Sequence, residues 1–302
     1  MQFSKEICHQ ELLERITELQ SSHEEMWVSY IGQSVFGRSI PLITLGDKKA
    51  HKSVLYVSTH HASENICTGV LLNFIEEYLN AYKRYAQIYG INLRYLYKMR
   101  KIYIVPMLNP DGVEYRLHGV GEDNPIKERI LAYNGGSDFS KWNANARGVD
   151  LNHNYDAYFE EYKTVEKEKG ITGGKTKYSG EYAESEPETA ALASFIRYNS
   201  EEIEGVLTLH TQGEEIYCKS KGKTPPRAEH LSRVISRLTG YVPATAEGES
   251  AMGGLTDWFI KEYNKPSFTL ECGRGENPLP LSQMMDIYSK LKELLFTFPI
   301  LF

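Results

Sequence analysis

Short apolar runs alternate along the chain with longer segments whose apolar residues recur at helical spacing. Residues 54–57 are β-branched, aromatic and apolar, as in a buried strand, and residues 65–82 have the apolar spacing of a helix. Residues 205–209 and 266–270 repeat the strand-like composition, and residues 102–107 form another such run. The alternation of strands with helices predicts an α/β fold with a mixed sheet.

Weaker patterns extend this prediction toward both ends of the chain. The further predicted elements are a helix from residue 11 to about residue 20, strands over 27–31 and 38–45, and helices over 189–198 and 255–263. Residues 109–112 are expected to form a loop, and residues 123–152, rich in Gly, Asn and Asp, a long surface loop. No internal repeat or linker is visible in the sequence, so residues 1–302 are predicted to form one domain.

The composition excludes several classes of protein. Apolar residues make up 41% of the chain and charged residues 25%, as in ordinary soluble globular proteins. A net charge of -6 provides no basic surface for nucleic acid or anionic membrane. The four cysteines stand far apart, without the paired spacing of a metal site or a disulfide framework, and are expected to be reduced.

The N-terminal segment is polar. Residues 1–6 lack the apolar core of a signal peptide, and no stretch approaches the length of a transmembrane helix. We therefore expect a soluble protein of the cytoplasm, or an extracellular one if a signal segment has been trimmed from the sequence.

Side chains with metal-binding chemistry follow three of the predicted strands. His61 and Glu64, three residues apart, follow the first run, His210 follows the second and Glu271 the third. Ligands of open α/β sheets bind at the carboxyl edge of the strands, so we expect these side chains to lie together. A catalytic zinc ion keeps three protein ligands and lowers the pKa of a bound water from about 15.7 to about 7. We predict zinc held by His61, Glu64 and His210. Glu271 is then the base that takes the proton of the water.

Each of these residues also has a simpler interpretation. His60 offers a second imidazole, although only His61 stands three residues before Glu64. His210 alone fits a hydrogen-bonded residue at a strand end, and Glu271 alone fits a buried ion-pair partner. The agreement of three strand ends on one edge of the sheet favours the zinc site.

The order of several short motifs resembles the zinc carboxypeptidases of the carboxypeptidase A superfamily over almost the whole chain. The motifs are Ile31-Gly32-Gln33-Ser34 with Gly37-Arg38, His61 to Glu64, Asn109-Pro110-Asp111-Gly112, Gly148-Val149-Asp150-Leu151-Asn152, His210, Gly253-Gly254 with Asp257-Trp258, and Phe268-Thr269-Leu270-Glu271. The resemblance implies a mixed sheet of about eight strands with helices on both faces. It also implies a zinc ion held by two histidines and a glutamate.

The departures from this family concern the groups that hold the substrate. In its exopeptidases an Asn-Arg pair clamps the terminal carboxylate of the substrate, and here the pair is Asn152-His153. An imidazole is a poorer carboxylate clamp than a bidentate guanidinium. The oxyanion-stabilising arginine of the family follows a tryptophan, whereas Asn143 follows Trp142 here. Arg147 is the best replacement for that arginine, and we predict the oxyanion role for it.

The segment around His153 resembles a bacterial branch of the family that hydrolyses γ-D-glutamyl-L-diamino acid bonds in peptidoglycan peptides. Such a substrate carries several carboxylates and, on diaminopimelate, a free amino group. Glu249 stands where the family has a substrate-capping tyrosine, and Thr256 at a position that lines the S1′ pocket. The resemblance implies that Glu249 or Thr256 meets the amino group or selects the side chain. Asn152 and His153 are expected to hold a carboxylate.

The predicted function is therefore that of a zinc metallopeptidase that cleaves the γ-D-glutamyl-diaminopimelate bond, with a peptide or muropeptide as its partner. Three alternatives stay open. A metallocarboxypeptidase would remove C-terminal residues from peptides, and a related deacylase would remove N-acyl groups from amino acids. A catalytically inactive cell-wall peptide binder, with or without zinc, is the alternative from another class.

Overall fold

The backbone is organised around one large sheet, in a computed structural model that describes residues 5–302. Residues 1–4, part of the polar N-terminal segment, lie outside the described residues. The strands are β1 (Met26–Gln33), β2 (Ser39–Leu45), β3 (Ser53–Ser58), β4 (Gln87–Ile88), β5 (Ile91–Asn92), β6 (Lys101–Val105), β7 (Ile203–His210), β8 (Glu215–Tyr217), β9 (Val242–Ala244) and β10 (Ser267–Glu271). Strands β4 and β5 pair only with each other, and the other eight form the large sheet of the described chain.

Helices connect most of the strands. They are α1 (His9–Ser22), α2 (Ile66–Lys83), α3 (Leu93–Met99), α4 (Pro110–His118), α5 (Lys127–Asn134), α6 (Phe159–Lys169), α7 (Pro187–Tyr198), α8 (Ala228–Thr239), α9 (Leu255–Tyr263) and α10 (Met284–Thr297). Within the described residues 5–302, none of these helices is long and apolar enough to cross a membrane.

The large sheet is mixed, with a parallel centre. Its strand order is β1-β2-β6-β3-β7-β10-β8-β9. The neighbours β6, β3, β7 and β10 run parallel, whereas β2 is antiparallel to β6 and β8 is antiparallel to β10. The carboxyl ends of β3, β7 and β10 therefore open at the same edge. The predicted mixed sheet of about eight strands is confirmed.

Both faces of the sheet are covered by helices. All six residues of β3 are buried, and successive side chains of a strand point to opposite faces. Val54 and Tyr56 accordingly pack into one core with residues of α1, α2, α8 and α10, and Leu55 and Val57 into a second core with residues of α7 and α9. Each fully buried large apolar side chain contributes about 1.5–3 kcal/mol. The expected helices on both faces are confirmed.

Two predictions about loops are wrong. Residues 109–112 begin α4, because Asn109 Oδ1 accepts a backbone hydrogen bond at 2.9 Å and Pro110 occupies the first turn, where its missing N–H costs nothing. Residues 123–152 contain α5 and the fully buried Trp142 rather than forming a surface loop. Gly, Asn and Asp serve turns and caps in this segment, so their polarity did not indicate exposure.

Candidate active site

The carboxyl ends of β3, β7 and β10 bring four polar side chains to one edge of the sheet. His210 is the last residue of β7 and Glu271 the last residue of β10, and the two are direct partners in the parallel register. Strand β3 flanks β7 on the other side. It is followed by the turn that carries His61 and by a short 3-10 helix that ends at Glu64.

His61, Glu64 and His210 form one cluster. Glu64 lies between the imidazoles, with Oε1 3.0 Å from His61 Nδ1 and Oε2 2.9 Å from His210 Nδ1. One possible ligand atom of each side chain lies within 4.8 Å of the others. Glu64 and His210 are buried, and His61 is partly exposed. The cluster is therefore reached from the side of His61.

His60 makes a different set of contacts. Its Nε2 lies 3.0 Å from the hydroxyl of Tyr155, and its ring stacks on that of His210 with 5.3 Å between the centroids. Burial and the neighbouring imidazoles hold the pKa of His60 well below its ordinary value. His60 is thus a neutral residue packed against a member of the cluster.

Asp150 orients His61. Its Oδ1 lies 3.1 Å from His61 Nε2, while its Oδ2 accepts hydrogen bonds from Lys177 N at 2.9 Å and Thr176 Oγ1 at 3.0 Å. A metal-binding imidazole commonly donates its second N–H to a carboxylate, which fixes the ring and the tautomer. The contact with Asp150 leaves Nδ1 of His61 as the ligand atom, directed at Glu64.

The electrostatics of the cluster favour a cation. Burial opposes a charge on His61, yet Glu64 and Asp150 hold the pKa of His61 well above its ordinary value. Burial also opposes the ionisation of Glu64, but the attraction of His61 and His210 lowers the pKa of Glu64. A metal ion would displace the proton from His61, because metal binding requires the neutral imidazole.

The residues present fit a zinc ion. Two imidazoles and one carboxylate are a frequent donor set of catalytic zinc. Both Nδ1 atoms already face the same carboxylate, and the second nitrogen of His61 is fixed by Asp150. His61, Glu64 and His210 are therefore the residues that would hold the ion.

Glu271 stands beside this cluster with a perturbed acidity. Burial, together with the like charge of Glu64, raises the pKa of Glu271 to about 7 against the attraction of the imidazoles. A carboxyl group that titrates near neutral pH can accept a proton in one step and return it in the next. Glu271 also lines a cavity, where a bound molecule can reach it.

The cavity next to Glu271 and His61 has a volume of about 230 Å³. Besides His61 and strand β10, its wall is built from four segments of the chain: the 3-10 turn after Asp150, strand β8 with the residues that follow it, residues 246–250, and the first turn of α9. The polar groups contributed by these segments are those of Asn152, His153, Tyr217, Lys219, Ser250, Thr256 and Asp257.

Asn152 and His153 both line the cavity, and both are fixed by backbone contacts. Asn152 Oδ1 accepts a hydrogen bond from Leu255 N at 3.2 Å, and His153 Nδ1 lies 2.8 Å from Met252 O. The His153 ring stacks on Tyr162 with 4.2 Å between the centroids. These contacts do not use the carboxamide nitrogen of Asn152 or Nε2 of His153, which are the atoms left for a ligand.

Gly253 allows this wall to close. Its φ is +78°, and a Cβ at this position would lie 2.4 Å from the carbonyl oxygen of His153. Glycine alone meets both conditions without strain. The Gly253-Gly254 motif therefore brings the start of α9 against the turn that carries His153.

The two residues proposed to select the substrate side chain are placed differently. Thr256 lines the cavity, with its hydroxyl 2.9 Å from Thr269 Oγ1. Glu249 pairs with Lys169 and, at 3.0 Å, with Lys177, and hydrogen bonds from both lysines lower the pKa of Glu249. The structure brings Thr256 into the site but leaves Glu249 in an ion-pair network beside it.

Arg147 is directed to another cavity. It lines a second space with Arg129 and Tyr182, and its Nη1 lies 3.6 Å from Oε2 of the buried Glu186. The structure does not bring Arg147 together with Glu271. The oxyanion role stays a prediction, and it requires Arg147 to leave Glu186.

Sequence reasoning assigned no role to Asp150, Lys219 or Asp257. The spacing of Asp150 and Asn152 is a recognisable turn pattern, since Asp150 Oδ1 accepts a hydrogen bond from Asn152 N at 3.2 Å. Asp257 lies beside Trp258 in one of the motifs quoted above. No local sequence pattern indicates that Lys219 lies at the cavity, because the pairing of β8 with β10 is what brings it there.

Comparison with known proteins agrees with the fold. A family model described as zinc carboxypeptidase matches residues 12–293. The chain is 34% identical over 280 residues to gamma-D-glutamyl-L-diamino acid endopeptidase 1 of Lysinibacillus sphaericus, covering 92% of this chain and 68% of that protein. It is 27% identical over 273 residues to carboxypeptidase B of Bos taurus, covering 85% and 60%. The solved carboxypeptidase A of Helicoverpa armigera aligns with a TM-score of 0.72 at 18% identity, over 97% of this chain and 72% of that one. The chain belongs to the zinc carboxypeptidase family of metallopeptidases.

Proposed function

We propose that this metallopeptidase hydrolyses the bond between γ-D-glutamate and the L-centre of diaminopimelate in peptidoglycan peptides. The observation that carries the proposal is the clamp: Asn152 is followed by His153 rather than by arginine, and both line the cavity next to Glu271. The identity of 34% with gamma-D-glutamyl-L-diamino acid endopeptidase 1 supports the same class of bond. The cytoplasm is the proposed site of action.

A zinc ion held by His61, Glu64 and His210 would polarise the scissile carbonyl and lower the pKa of a bound water. Glu271 accepts the proton of the attacking water and passes it to the nitrogen of the leaving amine. The pairing of Glu271 with His210 keeps its carboxylate next to the cluster. Burial, which raises the pKa of Glu271 above that of an exposed carboxyl, suits both the acceptance and the return of the proton.

Asn152 and His153 hold a carboxylate of the substrate in the cavity. The Asn152 carboxamide nitrogen donates to it. His153 Nδ1 donates to Met252 O, so Nε2 becomes a donor when the imidazole is protonated. This clamp is weaker than a bidentate arginine and suits a substrate with additional anchoring groups.

The contacts of the other predicted residues set conditions on their roles. Thr256 contacts the diamino acid side chain from the wall of the cavity. Glu249 acts on the substrate amino group only if the substrate displaces its lysine partners. Arg147 stabilises the oxyanion only if it leaves Glu186.

Two substrates test the proposal. The zinc-loaded enzyme is incubated with L-Ala-γ-D-Glu-diaminopimelate and with a blocked peptide that ends in an ordinary L-residue. We expect diaminopimelate to be released from the first, with kcat/KM at least about tenfold higher than for the second, a difference of about 1.4 kcal/mol. No release of diaminopimelate would reject the proposal.

A carboxypeptidase that removes C-terminal residues is the second candidate, favoured by the identity of 27% with bovine carboxypeptidase B. Faster cleavage of the blocked peptide would establish this activity instead. Bound zinc without turnover on either peptide would favour a peptide-binding protein.

A further inference from the structure

The cavity beside Glu271 carries a cation and a carboxylate that the proposed reaction does not use. Lys219 follows β8, and Asp257 lies in the first turn of α9. Both line the cavity together with Thr256 and Glu271. Opposite charges on the wall of one small cavity suit a ligand that itself carries both charges.

The ammonium group of Lys219 reaches such a ligand by leaving an exposed partner, Glu229. Its Nζ lies 2.9 Å from Glu229 Oε1, on the side of a neighbouring cavity that both residues line, and the two side chains are 35% and 56% exposed. Exposed ion pairs of this kind are weak, because solvent screens them and both side chains lose freedom. A carboxylate inside the cavity can therefore replace Glu229 as the partner of Lys219.

Asp257 supplies the opposite charge from a buried position. Its side chain is part of the cavity wall, although the residue is only 7% exposed. Burial raises the pKa of Asp257 to about 6, against the opposing effects of the Ser220 hydroxyl, the Gly254 backbone and the charge of Lys221. An ammonium group in the cavity would compensate the buried carboxylate and favour its ionised form. An acidic residue in the first turn of α9 stabilises the helix through the helix dipole. Because Asp257 also lines the cavity, it can contact a ligand as well.

Glu249 is the competing partner for an ammonium group. Its carboxylate already pairs with Lys169 and Lys177. A carboxylate with two lysine partners attracts a third cation weakly. Asp257 lies in the cavity wall and is the better placed of the two.

We propose that Lys219 and Asp257 bind the zwitterionic end of the diamino acid side chain, Lys219 through its carboxylate and Asp257 through its ammonium group. This inference rests on the proposed function, which places the diamino acid in this cavity. It adds a selectivity that the metal-binding cluster does not provide. A side chain that ends in an amine alone, or in an amidated acid, leaves Lys219 without a charged partner.

Two tripeptides that differ only at this end test the inference. The zinc-loaded enzyme and its Lys219→Met variant are compared on L-Ala-γ-D-Glu-meso-diaminopimelate and on L-Ala-γ-D-Glu-L-lysine. Loss of one charge-assisted hydrogen bond lowers kcat/KM by about 10- to 100-fold. We expect this decrease in kcat/KM for Lys219→Met with the diaminopimelate peptide but not with the lysine peptide. For Asp257→Asn we expect it with both peptides.

Matched variants separate charge from structure. Lys223→Met removes an exposed lysine from the same segment and should leave both values of kcat/KM unchanged. Lys219→Arg keeps the charge and should retain the preference for diaminopimelate. Calorimetric binding of the diaminopimelate peptide to Glu271→Gln, with and without Lys219→Met, measures the same contact without turnover.

Each outcome decides between the two proposals. Cleavage of the diaminopimelate peptide with an unchanged ratio between the substrates in Lys219→Met would overturn this inference and leave the proposed function standing. No cleavage of either peptide by the unmodified enzyme would overturn both. If Asp257→Asn fails to fold, Lys219→Met decides alone, because the Lys219 side chain is partly exposed and lies outside both hydrophobic cores of the described residues.

Discussion

The metal-binding cluster and the substrate wall of the same cavity are built in different ways. In the cluster, His210 and Glu271 are fixed by strand register, and Glu64 contacts both imidazoles directly. In the wall, His153 and Lys219 come from separate segments, and each has a partner outside the cavity. The backbone thus fixes the positions of the cluster residues, whereas the positions of the wall side chains depend on the partner that each of them binds. The fold therefore fixes the groups that carry out the reaction more firmly than the groups that select the substrate.

His210→Ala is expected to produce the largest effect, because it removes a ligand from the backbone-defined cluster. Zinc content should fall from about one ion per chain to near zero, and turnover should fall to the background level. Atomic emission and the diaminopimelate release assay measure the two effects. His230→Ala, which removes an exposed histidine of α8, should keep both zinc and turnover. A His210→Ala variant that retains zinc would show that the cluster is not the metal site.

Glu271→Gln should remove chemistry and leave the metal in place. The amide cannot accept the proton of the water, so kcat should fall by about 10²- to 10⁴-fold while zinc content and the melting temperature stay the same. Near-normal turnover in this variant would remove Glu271 from the mechanism. The contrast with His210→Ala separates loss of the metal from loss of the base.

The pH dependence of kcat/KM tests whether Glu271 is the base. Glu271 acts as a base only when it is deprotonated, and burial raises its pKa to about 7. The value of kcat/KM should therefore fall as the pH decreases, with the acid limb at or below about pH 7, since a bound cation lowers this pKa. Glu215→Gln removes a like charge that also raises the pKa of Glu271, so it should shift the limb to lower pH. If the acid limb of the kcat/KM profile is unchanged in both Glu271→Gln and Glu215→Gln, the limb arises from the titration of another group.

The difference between the two regions also explains what the sequence could predict. His61, Glu64, His210 and Glu271 follow predicted strands directly, so local pattern and the rule for parallel sheets place them at one edge. Lys219 reaches the cavity only through the pairing of β8 with β10, which no local pattern specifies.

The same limit applies to residues whose partners are distant in sequence. Glu249 meets lysines 80 and 72 residues away, and Arg147 meets Glu186. The sequence indicated the residue types that a substrate site needs but not these pairings. The buried Trp142 shows a related limit, because a segment rich in turn residues predicts a surface loop.

Asp150→Asn should weaken the cluster without destroying it. The variant keeps an oxygen for His61 Nε2 but loses the charge that favours the His61 N–H donor, so zinc affinity should fall by about 10- to 100-fold. Competition with a chelator measures the dissociation constant. Thr176→Val is the matched control, since it removes one hydrogen bond to Asp150 and leaves the carboxylate charged. Equal zinc affinity in Asp150→Asn and the unmodified enzyme would limit Asp150 to a structural role.

Arg147→Gln should have the smallest effect, and it tests whether the wall can rearrange. In the structure Arg147 lies 3.6 Å from Glu186 and lines a separate cavity, and Glu186 keeps a hydrogen bond from Asn145 at 2.7 Å when the arginine is removed. From this geometry we expect kcat to fall by less than about threefold. A side chain that does not contact the reacting groups does not stabilise the transition state. A residue that donates to the oxyanion costs about 10²- to 10³-fold in kcat when it is removed. A loss of that size would mean that substrate binding draws Arg147 from Glu186 into the reaction, so that the wall, unlike the cluster, is completed only in the complex.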